Sequence, residues 1–236
     1  MVGEPKMRIH TFIKRILPLV ACLLIATGCD DAFIGLQETK AQTSTSLIKA
    51  AELGDAVAQF RLGWMYANGK GVPQDDKEAV KWYQKSAEQG FAKAQTNLGW
   101  MYANGRGVPQ DYKEAVKWFR KAAEKGHVEA QFNLGGMYAL GEGVTRDAKE
   151  GVKWFRKAAE KGHVEAQYSL GKTYEAGIGV LKDKVNSYAW YNVSSANGEY
   201  DAAELRDAIA KEMTPKQIAE ARQLSKVWFE KYQPKD

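Results

Sequence analysis

The sequence predicts an all-α solenoid of tandem helix-turn-helix repeats with N- and C-terminal capping helices, and three observations predict it. Four blocks of equal length and nearly equal text follow one another over 55–90, 91–126, 127–162 and 163–198, each starting 36 residues after the last. Within each block, apolar residues recur in two runs at helical spacing. Between the runs stands G-x-G-V-x-x-D, with Asn and Pro added in the first two blocks, the composition of a turn and a helix start. A period of roughly 20 to 50 residues marks a stacked array, in which each unit buries its apolar side against its neighbours. The 236 residues therefore read as one continuous repeat body with appendages, not as separate globular domains.

The chain opens on a leader, 1–29. Lys14 and Arg15 precede the apolar run ILPLVACLLIATG at 16–28. That run is shorter than the roughly 20 residues a helix needs to span a bilayer, and it has the order of a secretion signal: basic start, apolar core, small residues. Export is expected. The run ends in Ala26-Thr27-Gly28-Cys29, which resembles a bacterial lipobox, in which the cysteine is lipidated and becomes the first mature residue. If Cys29 is lipidated, Asp30 behind it resembles the signal that retains lipoproteins in the inner membrane. Ordinary cleavage between Ala26 and Cys29, giving a soluble periplasmic or secreted protein, is the alternative.

Cys22 and Cys29 are the two cysteines of the chain, and both lie in the leader. The repeats therefore hold no disulfide despite an oxidising destination, and a cysteine nucleophile or cysteine metal site is excluded there. The formal charge of +5 invites a nucleic-acid reading. The leader, however, holds Lys6, Arg8, Lys14 and Arg15 against the single acid Glu4, so three of those five charges belong to it. What remains is a balanced mixture, whereas phosphate binding needs a concentrated basic surface. No nucleic-acid partner is expected.

Residues 30–45 show no sustained period and few large apolar side chains, and read as a flexible tether. The half unit 46–54 matches 82–90 one period earlier, a single helix that caps the N-terminal end. In the first full repeat, Ala58, Leu62, Met65 and Tyr66 fall at i, i+4, i+7 and i+8, one stripe of a first helix. Gly63 and its counterparts Gly99, Gly135 and Gly171 interrupt that helix at a cost of up to about 1 kcal/mol relative to Ala, which predicts a close helix approach. Asn68-Gly69-Lys70-Gly71 ends it. Asp75 then caps a second helix, with Glu78 at the spacing of a reciprocal capping box, and Asp111 with Glu114 and Asp147 with Glu150 repeat the pattern. Ala79, Val80, Tyr83 and Ala87 are expected to face inward, with Lys77, Lys81 and Lys85 in water.

The fourth copy departs from this rule. Ala189 and Val193 stand where earlier copies have lysines, so the outer face of its second helix should be covered. The segment 199–236 supplies two capping helices, one over 200–213 and one opened by Thr214-Pro215-Lys216-Gln217 with Ile218, Ala221, Leu224, Val227 and Trp228 at helical spacing.

Comparing the copies separates scaffold from surface. The quartets at Ala58, Leu62, Tyr66 and Trp82 never change and read as packing. Variation falls at Arg61/Asn97/Asn133/Ser169, at Trp64/Trp100/Gly136/Lys172 and at Asn68/Asn104/Leu140/Ala176, all on first helices or their ends. Arg61, Trp64, Asn97, Trp100, Asn133 and Lys172 are the candidate partner contacts. Trp64 and Trp100 admit two readings, an exposed pair in a peptide-binding groove or packing between successive first helices.

The pattern A-x-A-Q-x-x-L-G-x-x-Y-x-x-G-x-G-V-x-x-D and the following K-W-F-R-K-A-A-E-K-G resemble the Sel-1-like repeat, a relative of the tetratricopeptide repeat. The tail MTPKQIAEARQLSKVW resembles the C-terminal segment of bacterial members. The resemblance implies an α/α superhelix with a concave groove that serves as an adaptor for proteins or peptides. Some cysteine-rich secreted members are described as β-lactam-binding or weakly hydrolysing, and this chain lacks their paired cysteines.

Two strings invite an enzymatic reading: Ser46-Leu47-Ile48-Lys49 fits S-x-x-K, and Tyr66-Ala67-Asn68 and Tyr102-Ala103-Asn104 fit a β-lactamase triplet. No K-T-G follows, and the triplets are duplicated helix ends. His127 and His163 open equivalent repeats with no third ligand at metal spacing, and are expected to be surface residues at a turn. No catalytic residue, cofactor or metal is expected. The expected function is a non-enzymatic binding scaffold of the cell envelope for a protein or peptide, anchored to the membrane through Cys29. A β-lactam-binding or weakly hydrolysing envelope protein and a secreted factor acting on another cell are the alternatives.

Overall fold

The computed structural model describes residues 45–232, so the leader, Cys29 and nearly all of the tether lie outside the described residues. Eleven helices and no strand occur among the described residues. A helix at 45–52 (α1) is followed by four pairs: α2 Ala56–Asn68 and α3 Asp76–Glu88, α4 Ala92–Asn104 and α5 Tyr112–Glu124, α6 Val128–Leu140 and α7 Ala148–Ala159, α8 Val164–Ala176 and α9 Lys184–Ala196. Two further helices, α10 Tyr200–Ala210 and α11 Pro215–Lys231, close the order. Within the unit Ala50–Asp236, each first helix packs on its own second helix and each second helix on the next first helix. This is the nearest-neighbour stacking of a solenoid. No helix among the described residues is long and apolar enough to cross a membrane.

Local sequence sets the helix ends. Gly69, at φ 63° and ψ 35°, takes the left-handed conformation that stops α2, and Gly105, Gly141 and Gly177 do the same for the later first helices. Each second helix starts on an aspartate, Asp75, Asp111, Asp147 or Asp183, whose carboxylate accepts N–H bonds from the first turn. The expected reciprocal box is only half formed. The Asp75 N–H donates instead to the carbonyl of Tyr66 at 3.0 Å, as Asp111 does to Tyr102 and Asp147 to Tyr138. With that donor taken by the preceding helix, Glu78, Glu114 and Glu150 turn outward to Lys81, Lys117 and Lys153.

The recurrent glycines answer to packing. A Cβ on Gly135 would stand 2.7 Å from Cδ1 of Phe155, and Gly63, Gly99 and Gly171 meet the rings of Tyr83, Phe119 and Tyr191 in the same way. The paired helix thus lays an aromatic ring flush on the backbone of its partner. A buried glutamine ties each repeat to the one before: Gln59, Gln95, Gln131 and Gln167 donate Nε2 to the carbonyls of Ala51, Ala87, Ala123 and Ala159 at 3.0–3.1 Å. In the middle repeats the other amide oxygen, Gln95 Oε1 or Gln131 Oε1, lacks a protein partner. In the end repeats that oxygen accepts from Gln89 or Asn197, where the middle repeats place Lys125 and Lys161.

The fourth repeat is covered as its sequence requires. Ala189 and Val193 are fully buried, and α9 packs against both α10 and α11. The ring of Trp228 lies 4.3 Å from that of Trp190, with Tyr232 on the same indole. Thr214 and Gln217 form the capping box at the start of α11. Val227 departs from the expected stripe: it is 48% exposed, and Ser225 takes the inward place, accepting from Asn192 Nδ2 at 3.1 Å. A hydrogen bond between layers there does what an apolar contact was expected to do.

Candidate functional site

The variable positions of the first helices gather on one face. Trp64 and Trp100 are 45% and 42% exposed, which favours the exposed reading over packing between successive helices. Together with Asn97 they line a hollow of about 210 Å³ whose other walls include Tyr83, Met101 and Arg106. Trp100 also borders a second hollow, with Asn133, Gly136, Leu140 and Ser169 from the next two repeats. Arg61 and Lys172 are exposed but line neither hollow. The Lys172 ammonium lies 5.4 Å from the ring centre of Tyr168, close enough for a cation–π contact.

The polar residues on this face are partly occupied. Asn68 and Asn104 donate to the carbonyls of Trp64 and Trp100 at 2.8 and 2.9 Å, and so finish α2 and α4. Asn133 donates to the carbonyl of Glu129. Burial pushes the Tyr83 phenol above its ordinary range, opposed by a hydrogen bond with Asn97 and the charge of Arg106. The tyrosines of the Tyr-Ala-Asn triplets are half-buried and the asparagines serve the helix ends, while Ser46 and Lys49 lie exposed on α1.

Arg106 was not singled out by sequence, yet it organises the first hollow. Its guanidinium binds both carboxylate oxygens of Asp76, at 3.0 and 2.6 Å, and donates to the carbonyl of Ala67. The same group lies 5.5 Å from the Trp100 ring centre. It is a strut between repeats 1 and 2, a bidentate geometry that lysine could not supply. The available signal was the set Lys70/Arg106/Glu142/Ile178, which varies as freely as the Trp positions.

The histidines correct an expectation, because neither is a bare turn residue. His127 is half-buried with Nδ1 3.0 Å from Thr96 Oγ1, and burial lowers its pKa below the ordinary value. The side chain of His163 is 11% exposed, stacked on Phe132 at 4.6 Å, with Nε2 3.0 Å from Glu129 Oε2. Its Nδ1 accepts from the Ala166 N–H, capping α8. That contact with His163 holds the Glu129 carboxyl below its usual range. Among the described residues no three His, Cys, Asp or Glu side chains are grouped to hold a metal ion.

A family model described as the Sel1 repeat matches residues 56–91, 92–127, 128–163 and 164–199. Among solved structures, a Sel1 repeat protein from Oxalobacter formigenes is 34% identical over 82% of this chain and 83% of its own, with a TM-score of 0.69. A protective antigen present in uropathogenic Escherichia coli strains, displaying an SLR fold, is 35% identical over 81% of this chain, with a TM-score of 0.54. This chain spans about half the length of that antigen, 49%. No curated protein matches it.

Proposed function

The chain belongs to the Sel1 repeat family, and from that premise we propose that it is a non-enzymatic scaffold of the bacterial cell envelope that takes a protein or peptide on the face built by its first helices. Proteins of this family are in general protein-interaction scaffolds. The observation that carries the reading is the pair Trp64 and Trp100, exposed at equivalent positions on either side of a hollow. Large aromatic side chains at the centre of an interface commonly supply most of its energy. Arg61, Asn97, Asn133 and Lys172 complete the proposed contact set.

Changing both Trp64 and Trp100 to Ala is expected to weaken capture of protein partners from envelope extracts at least tenfold, with helical content by circular dichroism unchanged. Unchanged capture would remove the first-helix face from consideration. Envelope placement rests on the leader, with Cys29 as the lipid-bearing first mature residue. Metabolic labelling with a palmitate analogue tests it: a mature protein that stays unlabelled and soluble would overturn the anchor and leave the binding face untouched.

A further inference from the structure

Helix α6 carries two successive glycines in opposite surroundings. Packing accounts for Gly135, whose Cβ would strike the Phe155 ring, whereas a Cβ on Gly136 would meet nothing within 4 Å. A glycine inside a helix is less favourable than alanine there, so nothing in the scaffold explains Gly136. Its register is informative. Gly136 stands one period after Trp100 and two after Trp64, so repeats 1 and 2 fill this place with an indole and repeat 3 leaves it open.

The opening is a hollow of about 330 Å³, against about 210 Å³ for the one between Trp64 and Trp100. Trp100 forms one wall, and the buried rings of Phe119 and Phe155 lie at depth. Two polar groups of its lining have spent their donors within the chain: Asn133 Nδ2 on the carbonyl and carboxylate of Glu129, and Ser169 Oγ on the carbonyl of Glu165 at 2.8 Å. What they offer the hollow is acceptor oxygen. The carboxylate of Glu142, also in the lining, stands where repeat 2 has Arg106, and the residue corresponding to Asp76 is Tyr112. The hollow thus combines an apolar interior with acceptors and one negative charge.

Resting on the first-helix face as the binding face, we propose that the Gly136 hollow is a subsite for a tryptophan side chain of an extended peptide segment, with a lysine or arginine of that segment beside it. The indole body matches the room that the chain's own Trp64 and Trp100 occupy one and two repeats earlier. Its N–H serves the acceptors Asn133 and Ser169, and the basic neighbour meets Glu142.

The test is anisotropy of a fluorescein-labelled peptide, Gly-Ser-Gly-Trp-Lys-Gly-Ser-Gly, against the full chain, beside peptides with Ala for Trp or Glu for Lys. The wild-type chain is expected to hold the Trp peptide at least tenfold more tightly than the Ala peptide. Gly136→Ala keeps that preference, Gly136→Trp abolishes it by filling the hollow from within, and Glu142→Gln reduces the preference for Lys over Glu. Equal affinity for the Trp and Ala peptides, or a preference that survives Gly136→Trp, overturns the subsite. Should Gly136→Trp fail to fold, the amide resonances of Gly136 and Ser169 in the wild-type chain decide: movement on titration with N-acetyltryptophanamide supports the subsite, and silence overturns it. Partner capture that depends on Trp64 and Trp100 but ignores Gly136→Trp would sink the subsite alone. Capture indifferent to the two tryptophans would sink the face itself.

Discussion

Repeats 3 and 4 share their backbone plan and differ in what their second helices do with the outside. On α7, Lys153 pairs with Glu150 and the Lys157 ammonium stands 3.7 Å above the Trp154 ring, both lysines in water. On α9 the same two places are Ala189 and Val193, fully buried, with α10 and α11 packed against that helix. Two substitutions thus separate a second helix whose outer face meets water from one whose outer face is covered by more chain. Here the stack ends where the outer face of α9 turns apolar and α10 and α11 take the place of solvent.

The strongest way to break this difference is to return the open-face residue to the closed repeat. Val193→Lys places an ammonium where the native side chain is fully buried, with no carboxylate supplied for it. It is expected to cost about 4 kcal/mol or more, or to expel the last two helices. Proteolysis at 199–214 and loss of the Trp190–Trp228 contact by fluorescence would report the second outcome. The reciprocal change, Lys157→Val, forfeits an exposed cation–π contact and is expected to lower stability by no more than about 1 kcal/mol, while raising self-association in sedimentation. A Val193→Lys chain as stable as wild type would show that the cap is not what closes the stack.

Most of that contrast could be read before any coordinates. The period, the turn glycines, the aspartate caps and the lysine-to-apolar change at Ala189 and Val193 are local signals, and α2 to α11 follow from them. What escaped depends on distance across repeats. Arg106 looks like a variable turn residue until Asp76, thirty places earlier, is brought within 2.6 Å of it. His127 and His163 look like turn residues until Thr96 and Glu129 arrive from the preceding repeat. Val227 fits the helical stripe of α11 as well as Ser225 does, and only the position of Asn192 decides which faces inward. The exposure of Trp64 and Trp100 was one of two readings open to the sequence. Gly136 was visible as a variable position, but its emptiness becomes apparent only beside Gly135.

The smallest effect sharpens the same comparison at the opposite ends of the two repeats. His127 opens repeat 3 and His163 opens repeat 4, but their surroundings differ in charge. Burial, joined by Lys93 and Lys161, lowers the His127 pKa against the opposing pull of Glu129. The unfolded chain therefore binds the proton more readily than the folded one, and stability should fall as the pH drops below about 6.5, the ordinary histidine value. Glu129 behaves as an acid with a lowered folded pKa, held there by the bond to His163, so its contribution is complete above the ordinary 4.5 and is lost as the pH falls through the lower folded value. The two losses set in at different pH, the first below the ordinary histidine value and the second below the ordinary glutamate value. Calorimetric melting followed from neutral pH down through the carboxylate range is expected to show a shallow decline in the histidine range and a second one below it. His127→Gln, which keeps a hydrogen-bonding group near Thr96 but cannot titrate, should flatten the upper decline and leave the lower one in place. An upper decline that persists in that variant would mean that His127 is not the group whose protonation weakens the stack there.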